Sequence, residues 1–277
     1  MSDAVPLPRY TGAAASVRRV RAVLRRHGYL IVKSWTRLVS MMYYPTVTMV
    51  VWAFLTLYLA PTNSFLRDAP GYFIGAVLLW DILFRGQLGV SLTFIEELYA
   101  RNLGNLFVSP LTLPEYIAGQ LVMSVLRALV GVGGACLFAF LLFRFSIFSL
   151  GLPLVAFFAN LLVFGWAIGL AMSGVILRLG LGAEEFAWAA IFILAPVSGV
   201  YYPVRVLPSW MQAIAWGTPS AHVFEGMRTV LLDGSFPWDH FWAAAALNGV
   251  YLALGAAVFA AAMRHARNHG TLLQMGE

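Results

Sequence analysis

Long unbroken runs of apolar residues, separated by short polar stretches, fill most of this chain. Runs of about 20 residues that do not alternate in polarity predict membrane-crossing helices rather than barrel strands. Six spans are expected, at residues 43–60, 71–94, 117–143, 150–177, 186–202 and 241–263. Pro153 sits near the start of the fourth and is expected to delay it. Backbone groups in hydrocarbon must pair within the chain, so the predicted fold is an all-α integral membrane bundle.

Three stretches outside the spans also carry a helical rhythm. From Ser16 onward, Val17, Val20, Leu24, Ile31, Trp35 and Leu38 form one stripe, while Arg18, Arg21, Arg25 and Lys33 occupy other faces. This predicts a basic amphipathic helix lying in the cytoplasmic interface over 16–42, after a disordered tail at 1–15. His27-Gly28 interrupts the stripe and predicts a bend. Between the second and third spans, a helix over 96–108 would put Leu103, Leu106 and Phe107 on one side. Glu97, Arg101 and Asn105, four apart, would share another face, and Ser109-Pro110 would end the helix. Between the fifth and sixth spans, two helical pieces at 208–216 and 219–232 are each too short to cross. Thr218 is placed to cap the second, with Pro219 at its first position. They are expected to lie in the outer interface or to enter it and return.

Composition agrees with a bilayer as solvent. The chain has 277 residues, 61% hydrophobic and only 11% charged, with mean hydropathy +0.80, whereas a soluble domain carries roughly 25% charged residues. The net charge of +6 is not gathered into a patch for nucleic acid; it suits an anionic membrane surface. Eight of the eighteen Lys and Arg precede residue 40. With six spans, twelve basic residues fall on the side of the termini and four on the other. The positive-inside rule then makes both termini and the 96–116 stretch cytoplasmic in a plasma membrane, with a cytoplasmic tail at 265–277.

Candidate chemistry is sparse. Asp81 and Arg85, four apart in the second span, form either a self-neutralising pair or part of a polar stripe along a substrate path, with Gln87 and Asn160 as further candidates. Arg127 is expected to snorkel to the cytoplasmic interface. Gly165 and Gly169 make a GxxxG pair that suggests close helix packing, including dimer contacts. The single Cys136 excludes an internal disulfide and a cysteine metal site. There is no G-x-x-x-x-G-K-[ST], HExxH or G-x-S-x-G motif, so no nucleotide, metal or catalytic site is expected in this chain.

The stretch EELYARNLGNLFVSPLTLPEYIAGQ resembles the cytoplasmic loop of ABC-2 type transporter permeases, through Glu97, Arg101, Leu103, Leu106, Ser109, Pro110 and Leu111. The stretch PVSGVYYPVRVLPSWMQAIAWGTPSAHVFEGMR resembles their segment after the fifth span, through Pro196, Ser198, Tyr202, Pro203, Leu207, Pro208, Trp210, Pro219, Glu225 and Arg228. The resemblance implies a six-span permease, paired with a second copy as a homodimer and powered by separate ATPase subunits. ATP and Mg would then be held by the partner ATPase, and none by this chain. It also implies that residues 96–110, Glu96 included, form a coupling helix docking on the ATPase, and that residues 204–232 form an outer re-entrant gate. The cargo implied is a polysaccharide, a lipid or a hydrophobic drug-like molecule. Two other readings of the sequence are a membrane enzyme acting on lipid-linked substrates and an ion-coupled secondary transporter.

Overall fold

The computed structural model describes residues 12–61 and 71–269. Parts of the two terminal tails, 1–11 and 270–277, lie outside it. The described elements are helical throughout. They are α1 (Ala13–Val32), α2 (Trp35–Leu59), α3 (Tyr72–Tyr99), α4 (Leu103–Val108), α5 (Leu113–Phe143), α6 (Leu152–Leu179), α7 (Glu184–Leu194), α8 (Ser209–Trp216), α9 (Pro219–Asp233) and α10 (Trp238–His269). Five stretches are long and apolar enough to cross a membrane: Leu38–Leu59, Tyr72–Tyr99, Leu113–Phe143, Leu152–Leu179 and Trp238–His269. The fifth expected span, 186–202, is not one continuous helix.

That difference has a local cause. Pro196 cannot donate a backbone hydrogen bond, so α7 stops at Leu194 and yields to a single 3-10 turn at Ala195–Val197. Gly199 then takes φ +74, a left-handed conformation open to glycine at little steric cost. The α-helix is eleven residues long, about 16 Å. Even so, its first turn is tied to mid-α3, where Gln87 Nε2 donates to the Ala187 carbonyl at 2.9 Å. Its irregular extension reaches the start of α3, where Tyr72 Oη donates to the Val200 carbonyl at 3.2 Å.

α3 is the hub. It packs against α2, α5, α6, α7 and α9, and α6 packs in turn against α10. Small residues set the closest approach. A Cβ on Gly165 would meet the Leu83 carbonyl at 2.7 Å, and one on Gly169 would meet the Gln87 carbonyl at 2.7 Å. Gly165 and Gly169 are therefore the seam between α6 and α3 of one chain, the close helix packing their spacing suggests, made within the chain. Asn248 of α10 donates to the side-chain and backbone oxygens of Asn160 at 2.9 and 3.0 Å, clamping α10 to α6.

The N-terminal helix is shorter than expected. α1 runs unbroken through His27-Gly28, and the chain breaks at Ser34 instead, in an extended conformation. The Ser34 hydroxyl meets the Thr36 hydroxyl at 2.9 Å, a local bond of the kind that competes with helix propagation. Trp35 to Met42 thus begin the first spanning helix and are not part of the interfacial one. At the other end, α10 runs on to His269, absorbing the first residues of the expected tail.

The segment before α10 forms α8 and α9. The Thr218 hydroxyl accepts from the Ala221 N–H at 3.4 Å, with Pro219 at the first position of α9. α9 turns inward: Phe224 and Met227 are fully buried, and the helix packs against α10, α6 and α3.

Candidate translocation groove and cytoplasmic coupling surface

Val77, Trp80, Asp81, Phe84, Arg85, Leu88, Leu92 and Glu96 repeat at spacings of one, three and four, so they share one face of α3. That face lines a cavity of about 680 Å³, walled on its other sides by α2, α5 and the α7 region. The volume lies within the usual range for ligand sites. Near one end, Asp81 and Arg85 form an ion pair, and Arg85 also donates to the Met41 carbonyl of α2. Arg85 lies against Gly131 of α5, where any Cβ would collide with the guanidinium. One arginine thus joins three helices. At the other end, Arg127 of α5 meets Glu96 at 3.5 Å. Arg127 is 8% exposed and lines the groove, where Glu96 offers it a carboxylate.

Of the four candidates for a substrate path, the cavity brings together Asp81 and Arg85 only. Gln87 is fully buried and bonded to Ala187 and Ser91. Asn160 is held by Asn248 and by its own bond to the Ala156 carbonyl. The aromatic walls formed by Trp80, Phe84, Trp188, Phe192 and Tyr201 were missed by reasoning from charge. The four-residue spacing of Trp80 and Phe84 around Asp81 was the available signal.

The loop between α3 and α5 departs from the expected helix over 96–108. α3 continues through Glu96 and Glu97 to Tyr99, because both carboxylates have partners that keep them in that helix. Glu97 is 1% exposed and accepts from Arg26 at 2.6 and 2.7 Å and from Asn102 at 2.8 Å, with His27 Nε2 at 3.3 Å. A turn follows in which Arg101 takes φ +50, and only then does α4 begin. Leu103, expected as a knob for a partner, is 2% exposed and packs in the bundle core. The Leu106 side chain lies outside the described residues. Arg101, Asn105, Ser109 and Pro110 are the exposed part of this surface.

α1 is fastened beside it. Glu115 accepts from Ser16 at 2.6 Å and from Arg19 at 2.6 and 2.8 Å, and also from the Thr112 N–H in a capping box that starts α5. A cavity of about 260 Å³ opens between α1 and the loop, lined by Arg19, Arg26, Ser109, Pro110 and Tyr116 among others.

Beyond the start of α3, the sequence's order of prolines and charges becomes a set of internal ties. Pro203 is extended, Pro208 precedes α8 and Pro219 opens α9. Ser198 is buried and donates to the Ala195 carbonyl at 2.8 Å. Tyr202 Oη donates to the Pro196 carbonyl at 2.8 Å. Glu225 accepts from the Val204 N–H at 2.6 Å and pairs with Arg228 at 2.9 Å. Arg228 also donates to the Gly199 carbonyl and lies 5.1 Å from the Tyr72 ring centroid. No cluster of three or more His, Cys, Asp or Glu that could hold a metal occurs among the described residues.

A family profile of the ABC-2 type transporters matches residues 18–232, from the first turns of α1 to the last turn of α9. Linearmycin resistance permease protein LnrN of Bacillus subtilis (strain 168) is 29% identical over 86 residues, 30% of this chain. The matched stretch spans about a fifth of that relative, 21%. With the multi-pass helical bundle and the profile match over most of its length, the chain belongs to the ABC-2 type transporter family.

Proposed function

We propose that this chain is the permease subunit of an ATP-driven exporter, working as a homodimer with a separate ATPase on each copy. The observation that carries this reading is the cytoplasmic surface built from α1, the end of α3 and the α4 turn. It presents a charged and polar patch around Arg101, Asn105, Ser109 and Pro110, while its buried members bind it to the bundle. Glu97 ties the patch to α1 through Arg26, and Glu115 ties α1 to α5 through Arg19. A push on α4 or α1 would reach α3 and α5, the two helices whose ion pairs stand in the groove. ATP can shift the permease only by binding better to one ATPase arrangement, and this patch would transmit that bias.

In this reading α7 and its irregular extension make the fifth of six crossings, so both termini are cytoplasmic. The groove of Asp81 and Arg85 is the cargo path, and α8 and α9 form the outer gate, held by Glu225 and Arg228. Cargo belongs to the hydrophobic or amphiphilic end of the family's range, a view supported by the resistance name of the Bacillus relative.

The experiment is affinity purification of the tagged chain from its native host, with ATP hydrolysis measured on the complex. A stoichiometric ATPase is expected. Arg101→Gly relieves the positive φ, worth about 1 kcal/mol, and removes a contact side chain. It should leave thermal stability equal or higher while lowering coupled transport by about tenfold, the loss expected of a 1.4 kcal/mol contact. Purification of the chain alone, or an Arg101→Gly variant with unchanged coupling, would refute the assignment.

A further inference from the structure

Two histidines meet where the first turns of α9 and α10 come together. His222 Nδ1 lies 3.3 Å from His240 Nδ1, and the ring centroids are 5.6 Å apart. Both residues are partly exposed. They are eighteen apart in the chain and on separate helices, so no short metal-binding motif announces them. His222 Nε2 lies 3.0 Å from the Trp216 carbonyl. A carbonyl can only accept, so Nε2 carries the proton and Nδ1 presents a lone pair to His240. Histidines that bind metals are commonly prepared this way, with the far N–H held by a carbonyl that fixes tautomer and ring direction.

The pair is held by the packing of three helices. Tyr251 Oη of α10 donates to the Gly217 carbonyl at 3.0 Å, fixing the turn beside Trp216. Gly226, four residues after His222 on the same face of α9, lets α10 come close. A Cβ there would meet Pro237 Cγ at 3.0 Å and His240 Cβ at 3.6 Å. The Trp216 ring, at the end of α8, stacks on His240 with centroids 5.8 Å apart and planes 10° apart.

The spacing of the two nitrogens suits a cation. An N–H···O bond usually spans about 2.7–3.2 Å, and 3.3 Å is long beside it. Two imidazole nitrogens, each about 2.0–2.1 Å from one tetrahedral cation, stand about 3.3–3.4 Å apart. Imidazole suits Zn²⁺, Ni²⁺ and Cu²⁺, and binding is strongest for Cu²⁺. No third His, Cys, Asp or Glu completes a cluster among the described residues. Water would fill the remaining positions, and binding would be reversible, with a Kd on the order of 10 µM, far weaker than at a closed four-ligand site.

We propose that His222 and His240 form a two-histidine site for a late first-row divalent cation, which bridges α9 to α10. The bridge closes the chain across residues 222–240 and restrains α9. The site stands on this geometry alone; that the restraint holds the outer gate shut rests on the permease reading.

The test uses the full-length chain in nanodiscs, purified through a histidine-free tag and stripped with EDTA. Equilibrium dialysis should show one Zn²⁺ per chain in the first binding step. Cu²⁺ below one equivalent should give an electron paramagnetic resonance spectrum coupled to two nitrogens, a readout that needs no variant to fold. His222→Gln and His240→Gln should each weaken binding about tenfold or more. His265→Gln is the control, because His265 and His269 stack 4.1 Å apart at the end of α10 and are the rival pair; it should bind like the parent. Loss in His265→Gln with retention in His222→Gln places the metal at the rival pair and overturns the proposal. Absence of saturable binding, or equal binding in every variant, also overturns it. In the complex with its ATPase, free Zn²⁺ buffered at about ten times the Kd should slow ATP turnover severalfold and leave His222→Gln at its own metal-free rate. Unslowed turnover with the metal bound overturns the restraint. Saturable binding by a chain that captures no ATPase leaves the site standing and removes the permease reading. Coupled ATPase activity without saturable binding does the reverse.

Discussion

Glu97 shows how this chain handles charge near the membrane. A buried carboxylate without a partner is costly, and breaking a buried pair by deleting one side costs roughly 3–5 kcal/mol. Glu97 is met by Arg26, His27 and Asn102, from α1 and the turn after α3. His222 is the opposite case. Its Nε2 lies 3.0 Å from the Trp216 carbonyl and its Nδ1 lies 3.3 Å from Nδ1 of His240. Desolvation lowers its pKa below the usual histidine value; the bond to Trp216 opposes this, and His240 adds to the lowering. A histidine depressed in the fold is protonated more readily when unfolded, so its share of stability is present above about pH 6.5. That share falls away as pH drops from there through the folded value. Thermal unfolding in detergent should therefore occur at lower temperature at pH 5.5 than at pH 7.5, and His222→Gln should flatten this dependence. An equally steep dependence in the variant would show that other groups govern it.

At the scale of elements, the seam of α3 and α6 is made of backbone meeting backbone. A Cβ on Gly165 would meet the Leu83 carbonyl at 2.7 Å, the Gln87 nitrogen at 2.8 Å and the Gly86 Cα at 2.9 Å. None of these is the flexible end of a side chain, so the helices must separate to accept it. Gly165→Ala is expected to destabilise by about 1–3 kcal/mol, the range for overpacking. Gly133→Ala is the control, because nothing lies within 4 Å of a Cβ there. It should be neutral or gain up to about 1 kcal/mol from the better helix former. Denaturation midpoints of the two variants in one detergent decide the matter; equal midpoints would mean the seam is looser than its geometry.

At the scale of the molecule, the question is how many times the chain crosses. α7 by itself is too short, yet with its extension it reaches from the level of Gln87 to that of Tyr72. Those residues are fifteen apart on α3, about 22 Å by helical rise. The proposed six-crossing arrangement places Gly182 and Ser235 on opposite sides of the membrane. In a Cys136→Ala background, Gly182→Cys should be shielded from an impermeant maleimide in intact cells, and Ser235→Cys should be labelled. Labelling of both from one side would mean that the segment from α7 to α9 enters and leaves the same face.

The sequence by itself determined the solvent, the class and the family. An apolar fraction of 61% and runs of helical length leave few alternatives in a bilayer, and the short motifs around Arg101 and Pro208 sit where the chain must turn. Local signals with a local cause were also legible, such as the Thr218 cap, the Pro219 start and the delayed start of α6 at Pro153. Tertiary structure decided which of those residues face a partner and which face the bundle. Periodicity places Glu97 and Leu103 on the surface of a lone helix, but α1 folds over one and the core receives the other. Spacing finds the Gly165–Gly169 pair but does not name the helix it meets. Asp81 and Arg85 are legible as a pair from their separation of four; the aromatic walls around them come from α3 and from α7 with its extension, about a hundred residues later, and only their packing makes a groove.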